Sequence, residues 1–155
     1  MDERPMRTSA KAVMIRDGKL LAVRLRDEEG EFYILPGGGQ NSGELLPDAV
    51  EREVAEETGI RVTCGELLLV LEGAHGEPFH RIDLAFRCEY RGEIPDAVIE
   101  GDRTQVGCGW LDIATLNRAP LYPSRYRRAI MNIFEGKPQP VYLGNEEMGD
   151  PEITE

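Results

Sequence analysis

Four glutamates and one arginine follow a glycine run at fixed spacing. After Gly38 come five residues, then Glu44; after seven more come Arg52-Glu53, then Glu56-Glu57 and Gly59. Clustered carboxylate oxygens are hard ligands that suit Mg²⁺ or Mn²⁺. Cations gathered there could neutralise phosphate oxygens, position a water and ease the loss of its proton. Hydrolysis at an anionic phosphorus centre needs that help, because such a centre resists an anionic nucleophile.

The residues between Pro47 and Thr58 can hold these groups on one helix. Pro47 is tolerated in a first turn, where its missing N–H would lack a partner anyway. No breaker follows until Gly59, which supplies a left-handed stop. At about 100° per residue, Glu53, Glu56 and Glu57 fall within one arc of roughly 100°. Leu46, Val50 and Val54 lie beside and partly between them, so the carboxylates border the buried stripe. A solvated charged face is the competing reading of such a run. Like charges at i,i+3 and i,i+4 repel, however, and beside an apolar stripe they also lose hydration. Only Arg52 is close enough to compensate, and this favours cation binding.

Written out, residues 38–60 read GGQNSGELLPDAVEREVAEETGI. This segment resembles, position for position, the signature of the Nudix hydrolase (MutT-like) family, enzymes that cleave nucleoside diphosphates linked to another group. The resemblance implies an α/β (α+β) fold, the Nudix-type αβα sandwich with a mixed sheet between helices. It implies Glu56 and Glu57 as principal metal ligands, with Glu53 as a further ligand and, in some members, the general base. Glu44 would complete the acidic cluster directly or through water. Arg52 would orient its neighbouring carboxylates by charge-assisted hydrogen bonds. A carbonyl of Gly37 or Gly38 is a further candidate ligand, since glycine lets backbone approach a metal or phosphate closely.

The expected cofactor is Mg²⁺, with Mn²⁺ as substitute, and the expected partner a small nucleotide. Relatives often form homodimers. A second acid often comes from a distant loop, which here offers Glu93, Asp96, Glu100 and Asp102; Glu100 is chosen because it shortly precedes Trp110. Arg24, Arg26 and Arg81 are candidates for substrate phosphates, against an ordinary surface role. Tyr33, Phe79 and Trp110 are candidates for stacking on a base, against core packing. Features typical of members acting on ADP-ribose, dinucleoside polyphosphates or coenzyme A are not visible. A nucleoside triphosphate, ribo or deoxy, or a nucleotide sugar is left by elimination. The alternative is a Nudix-like sensor that binds a nucleotide without cleaving it. Such modules often lose a signature carboxylate, and all are present here.

The elements that must position this site read as follows. Residues 9–16 and 19–25 form a hairpin about Asp17-Gly18. A short strand, 32–35, ends at Pro36 and the glycines. Strands at 61–71 and 79–90 follow the acidic helix, and a polar loop spans 91–105. A buried strand is expected at 108–113, then a second helix over 123–134 with Tyr126, Ile130, Ile133 and Phe134 inward and Arg125, Arg127 and Arg128 in solvent. Residues 1–7 are expected to be a flexible N-terminus and 8–135 the domain. Residues 136–155, rich in Pro, Gly and acids, are expected to be a loosely ordered acidic tail.

With 155 residues, 41% hydrophobic and 30% charged, the chain is sized and composed as one globular domain. No apolar run approaches the roughly 20 residues of a membrane span, and no signal-type stretch opens the chain, so residence in the cytoplasm is expected. The net charge of −11 disfavours binding along a nucleic-acid polymer. Cys64, Cys88 and Cys108 lack ligand spacing and read as buried free thiols.

Overall fold

The computed structural model describes residues 4–99, 105–147 and 150–152. In chain order it contains β1 (Met6–Arg16), β2 (Lys19–Asp27), β3 (Gly30–Ile34), β4 (Gly37–Gly39) and α1 (Leu46–Thr58). Then come β5 (Ile60–Gly73), β6 (His80–Glu93), β7 (Gln105–Asp112), a 3-10 segment (Ile113–Arg118), α2 (Arg125–Phe134) and β8 (Tyr142–Asn145).

Asp17 and Gly18 both take positive φ, 52° and 72°, the combination that a tight two-residue hairpin requires. From that turn the two strands part company. β1 runs parallel to β6, from Met6↔His80 to Met14↔Cys88, and pairs antiparallel with β4. β2 pairs antiparallel with both β3 and β7. β5 lies antiparallel to β6 and parallel to β8.

Alternation along these strands builds a core on each face. On one face α1 lays Ala49, Val50 and Val54 against Ala10, Ala12, Met14, Phe86 and Cys88. Burial of Val50 and Val54 stabilises that contact by about 1.5–3 kcal/mol each. On the other face α2 packs Tyr126, Ala129 and Ile130 against Val13, Leu69, Leu71 and Ala85. This is the expected mixed sheet between helices.

Several expectations are corrected. The N-terminus is tied down from Arg4 onward: its guanidinium donates to the carbonyls of Ala74 and Glu77, and β1 begins at Met6 beside β6. Phe134 is 50% exposed, while Arg127, expected in solvent, is only 2% exposed. Arg127 is drawn in because its Nε donates to the Leu121 carbonyl, its Nη2 to Glu152, and its guanidinium lies over the Tyr122 ring. Cys108 is exposed and Cys64 only half-buried, leaving Cys88 as the buried thiol.

The tail between residues 142 and 147 is docked. β8 extends the sheet beside β5, and Glu146 turns inward to the start of α2. There its carboxylate accepts hydrogen bonds from the Ser124 N–H (2.8 Å), the Ser124 hydroxyl (2.9 Å) and the Arg125 N–H (2.8 Å). A helix start exposes unpaired N–H groups and favours negative charge, so a distant carboxylate can serve as the cap. Among the described residues, no helix is long and apolar enough to cross a membrane.

Candidate active site

Burial of Val50 and Val54 fixes the rotation of α1 and thereby the direction of its glutamates. Gly59, with φ 72°, ends the helix and bonds back to the Ala55 carbonyl. Glu53 and Glu57, one turn apart, are both aimed at β4. A Cβ on Gly38 would stand 2.8 Å from the Glu53 carboxylate, so only glycine leaves room for that side chain. Gly37, with φ 139°, would place a Cβ 2.1 Å from the Ala10 carbonyl; its N–H donates to Glu57 Oε1 at 2.7 Å. The two glycines therefore cradle the carboxylates directly.

Arg52 gathers the rest. Its Nε donates to Glu44 Oε2 (2.8 Å) and its Nη2 to Glu44 Oε1 (2.9 Å). Nη1 reaches Glu53 Oε1 (2.9 Å) and Glu56 Oε2 (3.2 Å), and Nη2 also reaches the Gly39 carbonyl (3.0 Å). Hydrogen bonding to Arg52, then to the Asn41 N–H, lowers the Glu44 pKa to about 2. The same bond to Glu44 raises the already high pKa of Arg52.

Glu57 behaves differently. It is 8% exposed, and burial pushes its pKa up, against the opposing pull of the Gly37 N–H and of the Lys11 charge. Its second oxygen, Oε2, accepts from Gln105 Nε2 at 3.0 Å. Of the four carboxylates, three share the guanidinium of Arg52, whereas Glu57 is hydrogen-bonded by neutral donors.

Arg52, Glu44, Glu53 and Glu56 are thus brought together, with Glu57 beside them at β4. Arg24, Arg26 and Arg81 are not part of that cluster. Arg24 donates to the Val106 carbonyl, Arg26 pairs with Glu31, and Arg81 pairs with Asp83 at 3.0 Å. Glu100 and Asp102 lie outside the described residues. Phe79 is covered by the Arg7 guanidinium, and Trp110 is half-exposed on β7.

Two site residues were missed. Lys11 lies opposite Gly37 in the β1–β4 register, and a lone lysine inside the apolar run SAKAVMIR was a readable signal. Gln105 reaches Glu57 through the pairing of β7 with β2, which no local pattern announces.

A cavity of about 560 Å³ lies off the ridge, walled by Phe32, Ile34, Arg81, Tyr122, Glu146 and Glu152 among others. None of the ridge glutamates lines it. The chain links the two, since Ile34 in the cavity wall is followed three residues later by Gly37.

The NUDIX domain profile matches residues 5–132, most of the chain. The chain belongs to the Nudix hydrolase family. A MutT-like protein of Streptomyces ambofaciens is 40% identical over 87 residues, 56% of this chain and 53% of that protein. The nucleoside triphosphatase NudI of Escherichia coli O139:H28 (strain E24377A / ETEC) is 34% identical over 64 residues, 39% of this chain and 45% of NudI. The matches therefore span about half the length of these curated relatives. Among solved structures, a Nudix hydrolase from Nitrosomonas europaea superposes with TM-score 0.72 at 22% identity, covering 88% of this chain and 93% of that one. A MutT Nudix hydrolase from Burkholderia pseudomallei gives TM-score 0.63 at 26% identity, covering 82% and 96%.

Nudix hydrolases generally use divalent metal ions. Among the described residues no three ligand side chains already converge on one point, because Arg52 and the neutral donors hold the carboxylates. The donor set nevertheless fits a hard cation: it is all oxygen, carries four carboxylates against one guanidinium, and is packed against glycine backbone.

Proposed function

We propose that this Nudix protein hydrolyses a pyrophosphate bond in a small nucleoside diphosphate derivative, a nucleoside triphosphate or a nucleotide sugar. The observation that supports it best is Glu57, a carboxylate drawn out of water beside three others and held by neutral donors. Burying a carboxylate without a cation is costly, and sites that impose that cost are often functional.

Glu53, Glu56 and Glu57 would hold Mg²⁺, or Mn²⁺ in its place, with Glu44 and the Gly38 carbonyl as further candidate ligands. The bound ion would supply charge neutralisation at the phosphate oxygens and a more acidic water. The chain's own part is positional. Gly37 and Gly38 leave space at the ridge, Arg52 fixes three carboxylates, and Glu53 is the candidate acceptor of the water's proton. Water attacks phosphorus, the P–O anhydride bond breaks, and the leaving phosphate departs with the bridging oxygen.

A nucleoside triphosphate is favoured because the relative NudI is named a nucleoside triphosphatase. The cavity beside β3 is the candidate seat for the part of the substrate that carries no phosphate. Its carboxylate-rich wall suits a neutral group bearing hydrogen-bond donors.

Screening nucleoside triphosphates, deoxynucleoside triphosphates and nucleotide sugars with Mg²⁺ for released phosphate or pyrophosphate tests the reading. Turnover that depends on the divalent ion supports it. Tight nucleotide binding without turnover under Mg²⁺ or Mn²⁺ would establish the sensor instead.

A further inference from the structure

One side chain that hydrogen-bonds a ridge carboxylate comes from β7, far from the glycine turn and α1 in sequence. Gln105, the first residue of β7, sends Nε2 to Glu57 Oε2 at 3.0 Å. Its place follows from the pairing of β7 with β2, where the register shifts between Arg24 and Leu25 and sets Gln105 opposite Leu25. Glu57 Oε1 is met by the Gly37 N–H. Each oxygen of Glu57 therefore receives one hydrogen bond, and each keeps a lone pair free.

The chemistry of that donor matters. A guanidinium or ammonium in the same position would offset the charge of Glu57, as Arg52 does in part for Glu44, Glu53 and Glu56. An amide fixes the carboxylate's orientation without adding to the one positive charge, Lys11, that already acts on it. The geometry points to Gln105 as a positioning residue that aims Glu57 for divalent-ion binding while adding no positive charge beside it. This inference rests on the proposed metal-dependent hydrolysis. Groups that orient a metal ligand typically change metal affinity or activity by about 10–100-fold when removed.

The test compares wild type, Gln105→Leu and Gln105→Glu. Mn²⁺ affinity is read by electron paramagnetic resonance without nucleotide, and kcat and KM are read on a responsive nucleotide. Gln105→Leu is expected to bind Mn²⁺ about 10-fold or more weakly and to lose kcat by a similar factor, with KM for the nucleotide within about twofold. Gln105→Glu, nearly isosteric, sets a second carboxylate beside Glu57. It is expected to bind Mn²⁺ more tightly than wild type and to melt at a lower temperature in EDTA, where the two charges repel. A folded Gln105→Leu whose Mn²⁺ affinity stays within twofold of wild type overturns the assignment. Should that variant fail to fold, a Gln105→Glu variant with unchanged Mn²⁺ affinity overturns it equally. Failure of wild type itself to bind Mn²⁺ would instead remove the functional reading on which the inference stands.

Discussion

Two clusters of buried or half-buried carboxylates flank this sheet, one beside each helix, and they are balanced differently. At α2, Glu146 is buried, but its oxygens are met by three donors at a helix start, where negative charge is favoured. Nearby, Arg127 is buried with a carbonyl and a carboxylate as acceptors. At α1, three carboxylates share the single guanidinium of Arg52, and Glu57 beside them is hydrogen-bonded only by an N–H and an amide, with the Lys11 charge nearby. The first arrangement closes on itself. The second leaves negative charge over, held close to the backbone, and that excess is what the proposed cation would offset.

The comparison is broken most directly at Glu57. Glu57→Gln is expected to lower kcat by at least about 100-fold while thermal melting in EDTA stays equal or rises. The sign follows from its pKa, which burial raises in the folded protein. Its contribution to stability is full below the unfolded value of 4.5 and is lost as pH climbs through the folded value. Metal-free wild type should therefore lose stability over that interval, and Glu57→Gln should lose less. Parallel pH–melting curves would refute this.

The cap predicts the reverse pattern. Glu146→Ala should cost about 2 kcal/mol in urea unfolding, since buried N–H groups lose their acceptor, while Mn²⁺ affinity per folded molecule stays near wild type. A large loss of Mn²⁺ affinity with unchanged stability would erase the distinction between the clusters. Gly38→Ala tests the cradle. Its methyl would meet the Glu53 carboxylate at 2.8 Å, and a kcat loss of about 10-fold with little change in melting is expected. Phe134→Ser should cost only about 1 kcal/mol, because half of that ring is already in solvent.

The ridge was legible because everything that makes it is local. One helix period fixes the relation of Glu53, Glu56 and Glu57, and the glycines precede it at constant spacing. The hairpin at Asp17-Gly18 was legible for the same reason, whereas the sheet between helices came from the family resemblance. Gln105 and Glu146 were not legible, because their roles arise from register between strands far apart in sequence and from a tail returning to a helix start. Arg127 and Phe134 exchanged their expected surroundings. Helical spacing alone puts Phe134 inward, but the Leu121 carbonyl and Tyr122 ring offer the guanidinium a partner that periodicity cannot foresee. Lys11 stood visibly inside an apolar run and was passed over.

The family's profile stops at residue 132, yet the carboxylate that closes the start of α2 sits at position 146. A polypeptide trimmed to the family's own limits would keep every signature residue and forfeit the clasp that seats its last helix. Recombinant fragments of this protein should carry the segment through Glu147 if they are to be judged fairly for activity.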